Sequence, residues 1–458
     1  MKIAVIGGGP GGYEAAILAA KKGAQVTVIE KDRVGGTCLN RGCIPTKALL
    51  AASDVLETVK ESEKFGVTIN GAVENNFAKT MERKDGIVHQ LVSGIEFLFK
   101  SNNVTLIKGI GKLIDKNTIE VTKEDGSKEK ETYDKIILAT GSVPVCPGVF
   151  QYDGQKVITS DEVLFLKTPP KSIIIVGGGV IGCEIGQFLR RMGTEVTVVE
   201  MVKQILPLED EDVSKQLLRQ FKKEKMKVIT GNGIAKVEKQ DDKVIAELQN
   251  GKIIEAEIML VCIGRRGYTD NLGLDAAGIA TDERGAVIVN KKMETNIEGI
   301  YAIGDIVKTP LLAHVASKEG LTAVQNIFGA DKEMTYKAVP RCVYTEPEVA
   351  GVGLTESDCK EQNISYHIGT FDFRALGKAQ AIGKIGGFVK VICDNNDVII
   401  GASVVGPHGT DLLTELTLAV HLGLTAEQVG DVIHAHPSLS ESLMEALHDV
   451  HGESIHKV

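Results

Sequence analysis

The fold is indicated by ten residues near the start of the chain, Ile3-Ala4-Val5-Ile6-Gly7-Gly8-Gly9-Pro10-Gly11-Gly12. The apolar residues predict a buried strand, and the spacing Gly7-x-Gly9-x-x-Gly12 predicts a tight turn into a helix. An alanine-rich helical pattern follows, and then a second apolar strand that ends in Glu30. Strand, glycine turn, helix and acid-terminated strand together predict a βαβ unit that binds a dinucleotide.

The same pattern occurs a second time in the chain. Ile173-Ile174-Ile175-Val176 leads into Gly177-Gly178-Gly179-Val180-Ile181-Gly182, and the following strand pattern ends in Glu200. Gly177 follows Gly7, and Glu200 follows Glu30, by the same 170 positions. A lone glycine pattern is a weak signal, but two copies with strand, helix and acid in place predict two dinucleotide sites.

Each unit carries a glutamate where a nucleotide ribose is expected. The glycines allow a pyrophosphate to approach the free amides of a helix N-terminus, while Glu30 and Glu200 are placed to accept hydrogen bonds from a ribose diol. The alternative for each glutamate is a surface acid at a strand end. Glu200 would repel a 2′-phosphate, and no arginine cluster follows it, so we expect the second site to prefer NAD.

Two cysteines follow the first unit, in Gly35-Gly36-Thr37-Cys38-Leu39-Asn40-Arg41-Gly42-Cys43-Ile44-Pro45-Thr46-Lys47. In an ideal helix their Cα atoms would lie roughly 7.5 Å apart along the axis, whereas a disulfide needs about 4.4–6.8 Å. A bridge between Cys38 and Cys43 therefore requires a distorted turn, and strain makes a disulfide easier to reduce. Because thiols do not exchange hydride with nicotinamide directly, we expect a flavin, FAD, in the first site as the intermediary.

The composition excludes several classes of function. The chain has 458 residues, a formal charge of −9 and a pI near 5.7, which argues against nucleic acid or an anionic membrane as the main partner. No apolar run reaches the ~18 residues of a membrane span. The apolar strand that begins at Lys2 leads us to expect no signal segment before the fold. The remaining cysteines are scattered and are interpreted as reduced, small buried side chains, so we expect a cytoplasmic protein.

The sequence divides into three domains, one of them discontinuous. Pro169-Pro170 precedes the second nucleotide unit, and Ile300 to Asp305 reads as a buried strand and acid that return to the first domain. From Val339 onward, strand-like runs followed by helices predict a separate α+β domain. We expect an α/β fold with two Rossmann-like dinucleotide-binding domains. The expected bounds are 1–146 and 266–337 for the FAD-binding domain, 147–265 for the NAD-binding domain and 338–458 for the C-terminal domain.

Further motifs lie between and after these units: Ala139-Thr140-Gly141, Ile303-Gly304-Asp305 and the terminal His434-Ala435-His436-Pro437-Ser438-Leu439-Ser440-Glu441. Together with the glycine units and the cysteine segment, they resemble the flavoprotein pyridine nucleotide–disulfide oxidoreductases over essentially the whole chain. Within that family, the cysteine and terminal segments are most similar to those of dihydrolipoamide dehydrogenases. The resemblance implies that the C-terminal α+β domain is a dimerisation domain and that the protein is a homodimer.

The resemblance also implies the cofactor contacts. Lys47 is expected near flavin N5 with Glu184 as its partner, and Asp305 on a ribityl hydroxyl. The residues expected at FAD are Gly7, Gly9, Gly12, Glu30, Thr37, Lys47, Gly111, Thr140, Gly141, Asp305 and Ala313. Those expected at NAD are Gly177, Gly179, Val180, Ile181, Gly182, Glu184, Glu200, Ile234, Gly264 and Arg265. The alternatives are a solvated lysine at Lys47 and packing residues at Gly111 and Ala313.

The chemistry that the resemblance implies begins at the cysteines. A dihydrolipoyl thiolate would attack Cys38, Cys43 would be released as the thiolate nearer the flavin, and NAD⁺ would be reduced to NADH. Only a thiolate attacks a disulfide well, so a base is needed. His436 is expected to be that base, oriented by Glu441, and to reach the dithiol of the other subunit. A surface or packing role is the alternative for any single histidine, and we keep it for His434, His448, His451 and His456.

The expected function is therefore that of an NAD-dependent dihydrolipoyl dehydrogenase without a metal. The alternatives are a glutathione or other disulfide reductase, a mercuric reductase, and a non-enzymatic flavoprotein with a vestigial redox site. A mercuric reductase would need a C-terminal cysteine pair, which residues 452–458 do not contain. No lipoyl domain is expected in the chain, so the partner would be a lipoylated protein: the acyltransferase component of a 2-oxo acid or acetoin dehydrogenase complex, or the glycine cleavage carrier protein.

Overall fold

Short apolar strands alternate with helices throughout residues 1–457, which the computed structural model describes. The first part of the chain forms β1 (Lys2–Ile6), α1 (Pro10–Lys21), β2 (Gln25–Glu30), α2 (Gly36–Arg41), α3 (Cys43–Lys60), α4 (Phe77–Ser101), β3 (Thr105–Lys108), β4 (Ile110–Leu113), β5 (Thr118–Thr122), β6 (Lys128–Thr132), β7 (Lys135–Leu138), β8 (Ser142–Pro144), β9 (Val157–Thr159) and α5 (Ser160–Val163).

The middle part contains β10 (Ser172–Val176), α6 (Val180–Arg191), β11 (Glu195–Val199), α7 (Glu211–Lys223), β12 (Lys227–Ile229), β13 (Ile234–Lys239), β14 (Val244–Leu248), β15 (Ile253–Ala256), β16 (Ile258–Val261), β17 (Arg265–Gly267), α8 (Leu274–Ala277) and β18 (Ile300–Ala302). The last part contains α9 (Ala313–Ile327), β19 (Arg341–Val343), β20 (Glu348–Gly353), α10 (Glu356–Glu361), β21 (Tyr366–Asp372), α11 (Gly377–Ala381), β22 (Phe388–Asp394), β23 (Ile399–Gly406), α12 (Gly409–Leu422), α13 (Ala426–Gly430) and α14 (Glu441–Asp449).

The first glycine unit lies in a five-stranded parallel sheet of order β18-β7-β1-β2-β3. Its central strands are buried almost throughout, as expected for a parallel sheet covered on both faces. The strand β18 comes from far along the chain and pairs with β7. It therefore returns to the first sheet, as the pattern at Ile300 to Asp305 predicts.

The second glycine unit lies in a matching parallel sheet of order β12-β11-β10-β16-β9. The two units agree down to the backbone of the turn. Gly7 N–H donates to Ile29 O and Gly177 N–H donates to Val199 O, both at 2.9 Å. Three-stranded antiparallel sheets, β4-β5-β6 and β13-β14-β15, accompany the two parallel sheets.

The C-terminal region forms an antiparallel sheet of order β19-β20-β23-β22-β21. Helix α12 packs against β20 and β23, and α14 packs against β21. The predicted α/β class with two Rossmann-like units and a C-terminal α+β domain is thus confirmed, while the expected domain bounds stay a prediction. None of the helices within residues 1–457 is both long and apolar enough to span a membrane.

Buried charges join the C-terminal sheet to the second nucleotide unit. The Lys390 side chain is 1% exposed, and its Nζ lies 2.8 Å from Asp210, 2.9 Å from Asp212 and 2.9 Å from Glu356. Such a cation is costly to bury unless carboxylates compensate it. The contact attaches the start of α7 to β22. The start of α7 lies close after Glu200 in the sequence.

Candidate active site

A single cavity of about 2060 Å³ connects the two glycine turns with the two cysteines. The residues predicted at cofactors that line it are Gly7, Gly9, Gly12, Glu30, Thr37, Lys47, Thr140, Gly141, Asp305, Ala313, Gly177, Gly179, Val180, Ile181, Glu184, Glu200, Ile234, Gly264 and Arg265, together with Cys38 and Cys43. Gly111, Gly182, His436 and Glu441 are not among the lining residues. Gly111 instead packs against strands β1 and β2, since a Cβ there would lie 3.2 Å from side-chain atoms of Ile6 and Ile29.

The glycine turns are built for close approach of the backbone. Gly7 has φ +108° and Gly177 has φ +110°, a region that side chains rarely allow. A Cβ on Gly12 would lie 2.0 Å from Gly7 O, and a Cβ on Gly182 would lie 2.0 Å from Gly177 O. Gly182 therefore does not line the cavity, but it lets helix α6 pack closely against the glycine turn that begins at Gly177.

The middle glycine of each pattern faces open space. A Cβ on Gly179 would meet nothing within 4 Å, and one on Gly9 would meet only Gly36 Cα at 3.9 Å. These glycines precede helices α1 and α6, whose first amides have no partner within the helix. Free amides, the helix dipole and an unfilled cradle fit the pyrophosphate of a dinucleotide at both turns.

Glu30 and Glu200 are held in the same way. Glu30 accepts hydrogen bonds from Gly8 N–H at 2.7 Å and Asp32 N–H at 2.9 Å. Glu200 accepts them from Gly178 N–H at 2.7 Å and Val202 N–H at 2.9 Å. Both carboxylates are thus fixed at the cavity wall beside the glycine turn, which fits a ribose diol.

The two cysteines are brought together by a break at Gly42. Helix α2 ends at Arg41, helix α3 begins at Cys43, and Gly42 between them has φ −145° and ψ −115°. A Cβ on Gly42 would lie 2.9 Å from Thr37 O and 3.2 Å from Cys38 Cα. The chain therefore folds back on itself in the distorted turn that the spacing requires, and both cysteines are free thiols here.

The surroundings give the two thiols different pKa values. A hydrogen bond from Cys38 and, to a smaller extent, the charge of Lys47 lower the pKa of Cys43 to about 7 against the effect of burial. The same hydrogen bond, together with burial, raises the pKa of Cys38 well above its usual range. Cys43 is also the first residue of α3, where the helix dipole favours an anion. These effects favour a thiolate at Cys43 over one at Cys38.

Lys47 is held beside the cysteines by Glu184, the partner that the sequence predicts, and by a second residue that the sequence does not predict. Its Nζ lies 2.8 Å from both carboxylate oxygens of Glu184, whose side chain is 3% exposed. Tyr344 was missed: its N–H donates to Glu184 at 2.9 Å, and its ring lies 4.5 Å from Lys47 Nζ. No local pattern marks Tyr344, since it reaches this site only through the docking of the C-terminal sheet.

Ser142 was also missed, although it directly follows the Ala139-Thr140-Gly141 motif. Its hydroxyl donates to Asp305 and accepts from Arg265 Nε at 2.8 Å. Arg265 also donates to Ser142 O at 2.8 Å. Ser142 thus connects a residue predicted at FAD with one predicted at NAD. The sequence signal that could have identified it is its position directly after a glycine motif.

His436 and Glu441 form a pair outside the cavity wall. His436 Nδ1 lies 2.7 Å from Glu441 Oε1, and Ser438 N–H donates to Glu441 Oε2 at 2.8 Å. Burial acts to raise the pKa of Glu441, but the hydrogen bonds from Ser438 and His436 outweigh it and lower the pKa. Because a carboxylate can only accept, Nδ1 carries the hydrogen and Nε2 of a neutral ring is free to take a proton. The His436 side chain is 79% exposed in the single chain.

Comparison with known proteins agrees with this geometry. The model of the pyridine nucleotide-disulphide oxidoreductase family matches residues 1–320, and that of the family's dimerisation domain matches residues 339–447. The chain is 42% identical to a dihydrolipoyl dehydrogenase of Chlamydia muridarum, over 96% of this chain and 95% of the relative. It is 41% identical to one from Bacillus subtilis, over 99% and 98%.

Two solved structures are also similar. LpdA from Mycobacterium tuberculosis has a TM-score of 0.91 and 29% identity, over 98% of this chain and 99% of that one. The flavoprotein disulfide reductase RclA from Escherichia coli, as a Cu(II) complex, has a TM-score of 0.88 and 25% identity, over 97% and 98%. With paired nucleotide cradles and a dithiol in one cavity, and a family model that matches most of its length, the chain belongs to the pyridine nucleotide-disulphide oxidoreductase family.

Proposed function

We propose that the protein is an NAD-dependent dihydrolipoyl dehydrogenase. The reaction is dihydrolipoamide plus NAD⁺ to lipoamide, NADH and a proton. The observation that carries this function is the geometry of one cavity, which is lined by two dinucleotide cradles and by the Cys38–Cys43 pair with Lys47 beside it. The relatives named above, which are about 40% identical over nearly the whole chain, are dihydrolipoyl dehydrogenases.

The cysteines of this chain perform the thiol chemistry. In the oxidised protein, a substrate thiolate attacks Cys38 Sγ, the Cys38–Cys43 bond breaks, and Cys43 leaves as a thiolate. The second substrate thiolate then attacks the mixed disulfide, so that lipoamide leaves and Cys38 is released. Two electrons have then moved from substrate to the dithiol. A lowered pKa at Cys43 favours its departure, because a weaker base is the better leaving group.

The residues of the two cradles fit FAD and NAD, the cofactors of the family. FAD, when bound, supplies the two-electron exchange between a thiolate and a nicotinamide. Glu30, Asp305 and Lys47 would hold it in the cavity that the dithiol lines, and Glu200 with the turn at Gly177 would hold NAD. The Lys47 ammonium, fixed by Glu184, supplies positive charge beside Cys43 and stabilises the thiolate form.

We propose that His436 takes the protons of the substrate thiols and that Glu441 stabilises the imidazolium that forms. A homodimer would bring His436 to the cavity of the partner. Exposed apolar side chains of the C-terminal domain support this assembly, because Ile433 is 96% exposed in the single chain and Leu418 and Leu422 on helix α12 are also exposed. A lipoylated carrier protein is the proposed source of substrate, and the cytoplasm is the proposed location.

The test is a substrate panel on the purified protein. The protein is expected to be yellow and to reduce NAD⁺ with dihydrolipoamide, and to work poorly with NADP⁺ or with glutathione disulfide and NADPH. Cys38→Ser is expected to abolish lipoamide turnover and to keep FAD bound. A colourless protein, or efficient glutathione disulfide reduction by NADPH, would show that the proposal is wrong.

A further inference from the structure

The segment that carries His436 has very few hydrogen bonds of its own. From Ile433 to Pro437, neither N–H nor C=O groups of the backbone form hydrogen bonds with other backbone groups of residues 1–457. The hydrogen bonds of this segment are those of the His434 and His436 side chains. Within the single chain, these side chains therefore supply the hydrogen bonds that hold the loop to the rest of the fold.

His434 is the anchor of this loop. Its side chain is 4% exposed, whereas its neighbour Ile433 is 96% exposed, so the chain turns His434 inward and Ile433 outward. Both ring nitrogens of His434 are bonded. Nδ1 lies 2.7 Å from Val432 O, and Nε2 lies 2.9 Å from Glu415 Oε1 on helix α12.

Both partners of the His434 ring are acceptors. A carbonyl oxygen and a carboxylate accept hydrogen bonds, and the imidazole supplies the N–H. The contact with Glu415 joins the loop to helix α12; the His434 side chain is 4% exposed and that of Glu415 is 35% exposed. A contact with one partner shielded from water is held more strongly than one between two exposed side chains.

We propose that His434 is a positioning residue: bonded to Glu415, it anchors the loop 433–437 to helix α12 and so aims His436. This proposal rests on the proposed role of His436. It concerns a side chain that does not itself touch the reacting sulfurs. His434 and Glu415 act through the position of the imidazole two residues further on.

The first test is His434→Gln, with His367→Gln as the matched control. His367 is exposed on β21 and belongs to the same C-terminal sheet domain. Because misplacement of a catalytic group by about 1 Å costs on the order of 10²-fold in rate, we expect kcat for dihydrolipoamide oxidation to fall by about tenfold or more with KM little changed. Reduction of an artificial dye by NADH, which does not use His436, should remain as in the parent protein. His367→Gln should match the parent in both reactions.

The second test is a double-mutant cycle. Glu415→Ala alone is expected to lower the same kcat, and adding it to His434→Gln should cost little more, because either change removes the contact between the imidazole and the carboxylate.

Normal dihydrolipoamide turnover by His434→Gln, or additive effects in the cycle, would each overturn the inference. A parent protein that does not oxidise dihydrolipoamide at all would instead refute the proposed function. Loss of both reactions in His434→Gln, with the protein still folded by circular dichroism, would assign the residue a general structural role and would also overturn the inference.

Discussion

At the scale of single residues, the two cysteines have the same side chain, and their different positions in the fold give them different pKa values. Cys43 begins a helix, accepts a hydrogen bond from Cys38 and lies four residues before Lys47, whereas Cys38 has only the role of donor. Residues four apart share one face of a helix, so Lys47 is a built-in neighbour of the thiolate.

This arrangement predicts how the reduced protein titrates. The thiolate absorbance of the reduced protein, measured as the difference from Cys43→Ser, should rise with a midpoint near pH 7. Cys38→Ala should move the midpoint to higher pH because the donor is lost, while Cys38→Ser, which keeps a donor, should move it less. Cys262→Ser is the control, since burial raises the pKa of that thiol to about 12. A midpoint unchanged in Cys38→Ala would contradict the role given to the hydrogen bond.

At the scale of elements, the turn-to-helix junction is the feature that occurs twice. In each copy, the last glycine of the pattern lets the helix approach the carbonyl of the first, at a spacing that no Cβ tolerates. The glycines of helix α4 show the contrast, since Gly86 and Gly94 meet nothing within 4 Å. The space around a glycine, and not the residue type alone, therefore shows whether a larger side chain could replace it.

Substitution by alanine should separate the two kinds of glycine. Gly12→Ala is expected to destabilise the protein by about 1–3 kcal/mol, because the new methyl group overlaps Gly7 O. Gly86→Ala should stabilise it by about 0.5–1 kcal/mol, because alanine reduces the entropy of the unfolded chain and favours the helix. Denaturant unfolding of both variants against the parent checks this. Equal effects of the same sign would show that close approach at Gly12 is not what requires glycine there.

At the scale of the whole molecule, the proposed proton acceptor and the dithiol do not meet within one chain. His436 is exposed and lies outside the lining of the cavity that holds Cys38 and Cys43. The matched dimerisation domain and the exposed side chain of Ile433 support the proposal that a second copy completes the site.

Mixed dimers test this assembly directly. Cys38→Ser and His436→Gln homodimers should each be nearly inactive with dihydrolipoamide. After unfolding and refolding together, activity should return to about one quarter of the parent value, since half of the dimers are mixed and each has one complete site. A refolded mixture as inactive as its components would mean that His436 acts on its own chain. Each variant refolded alone serves as the control.

The sequence by itself determined both nucleotide units, the redox cysteines and the His436–Glu441 pair as predictions, because the signals are local: a glycine spacing, an acid at a strand end, a histidine five residues before a glutamate. The tertiary structure alone decided which residues support them. Tyr344 reaches Glu184 only when the C-terminal sheet docks. The side chain of His434, which looks like any surface histidine in the sequence, is buried where Glu415 on helix α12 lies opposite its ring. Contacts between distant segments leave no local pattern, because they depend on where whole elements pack.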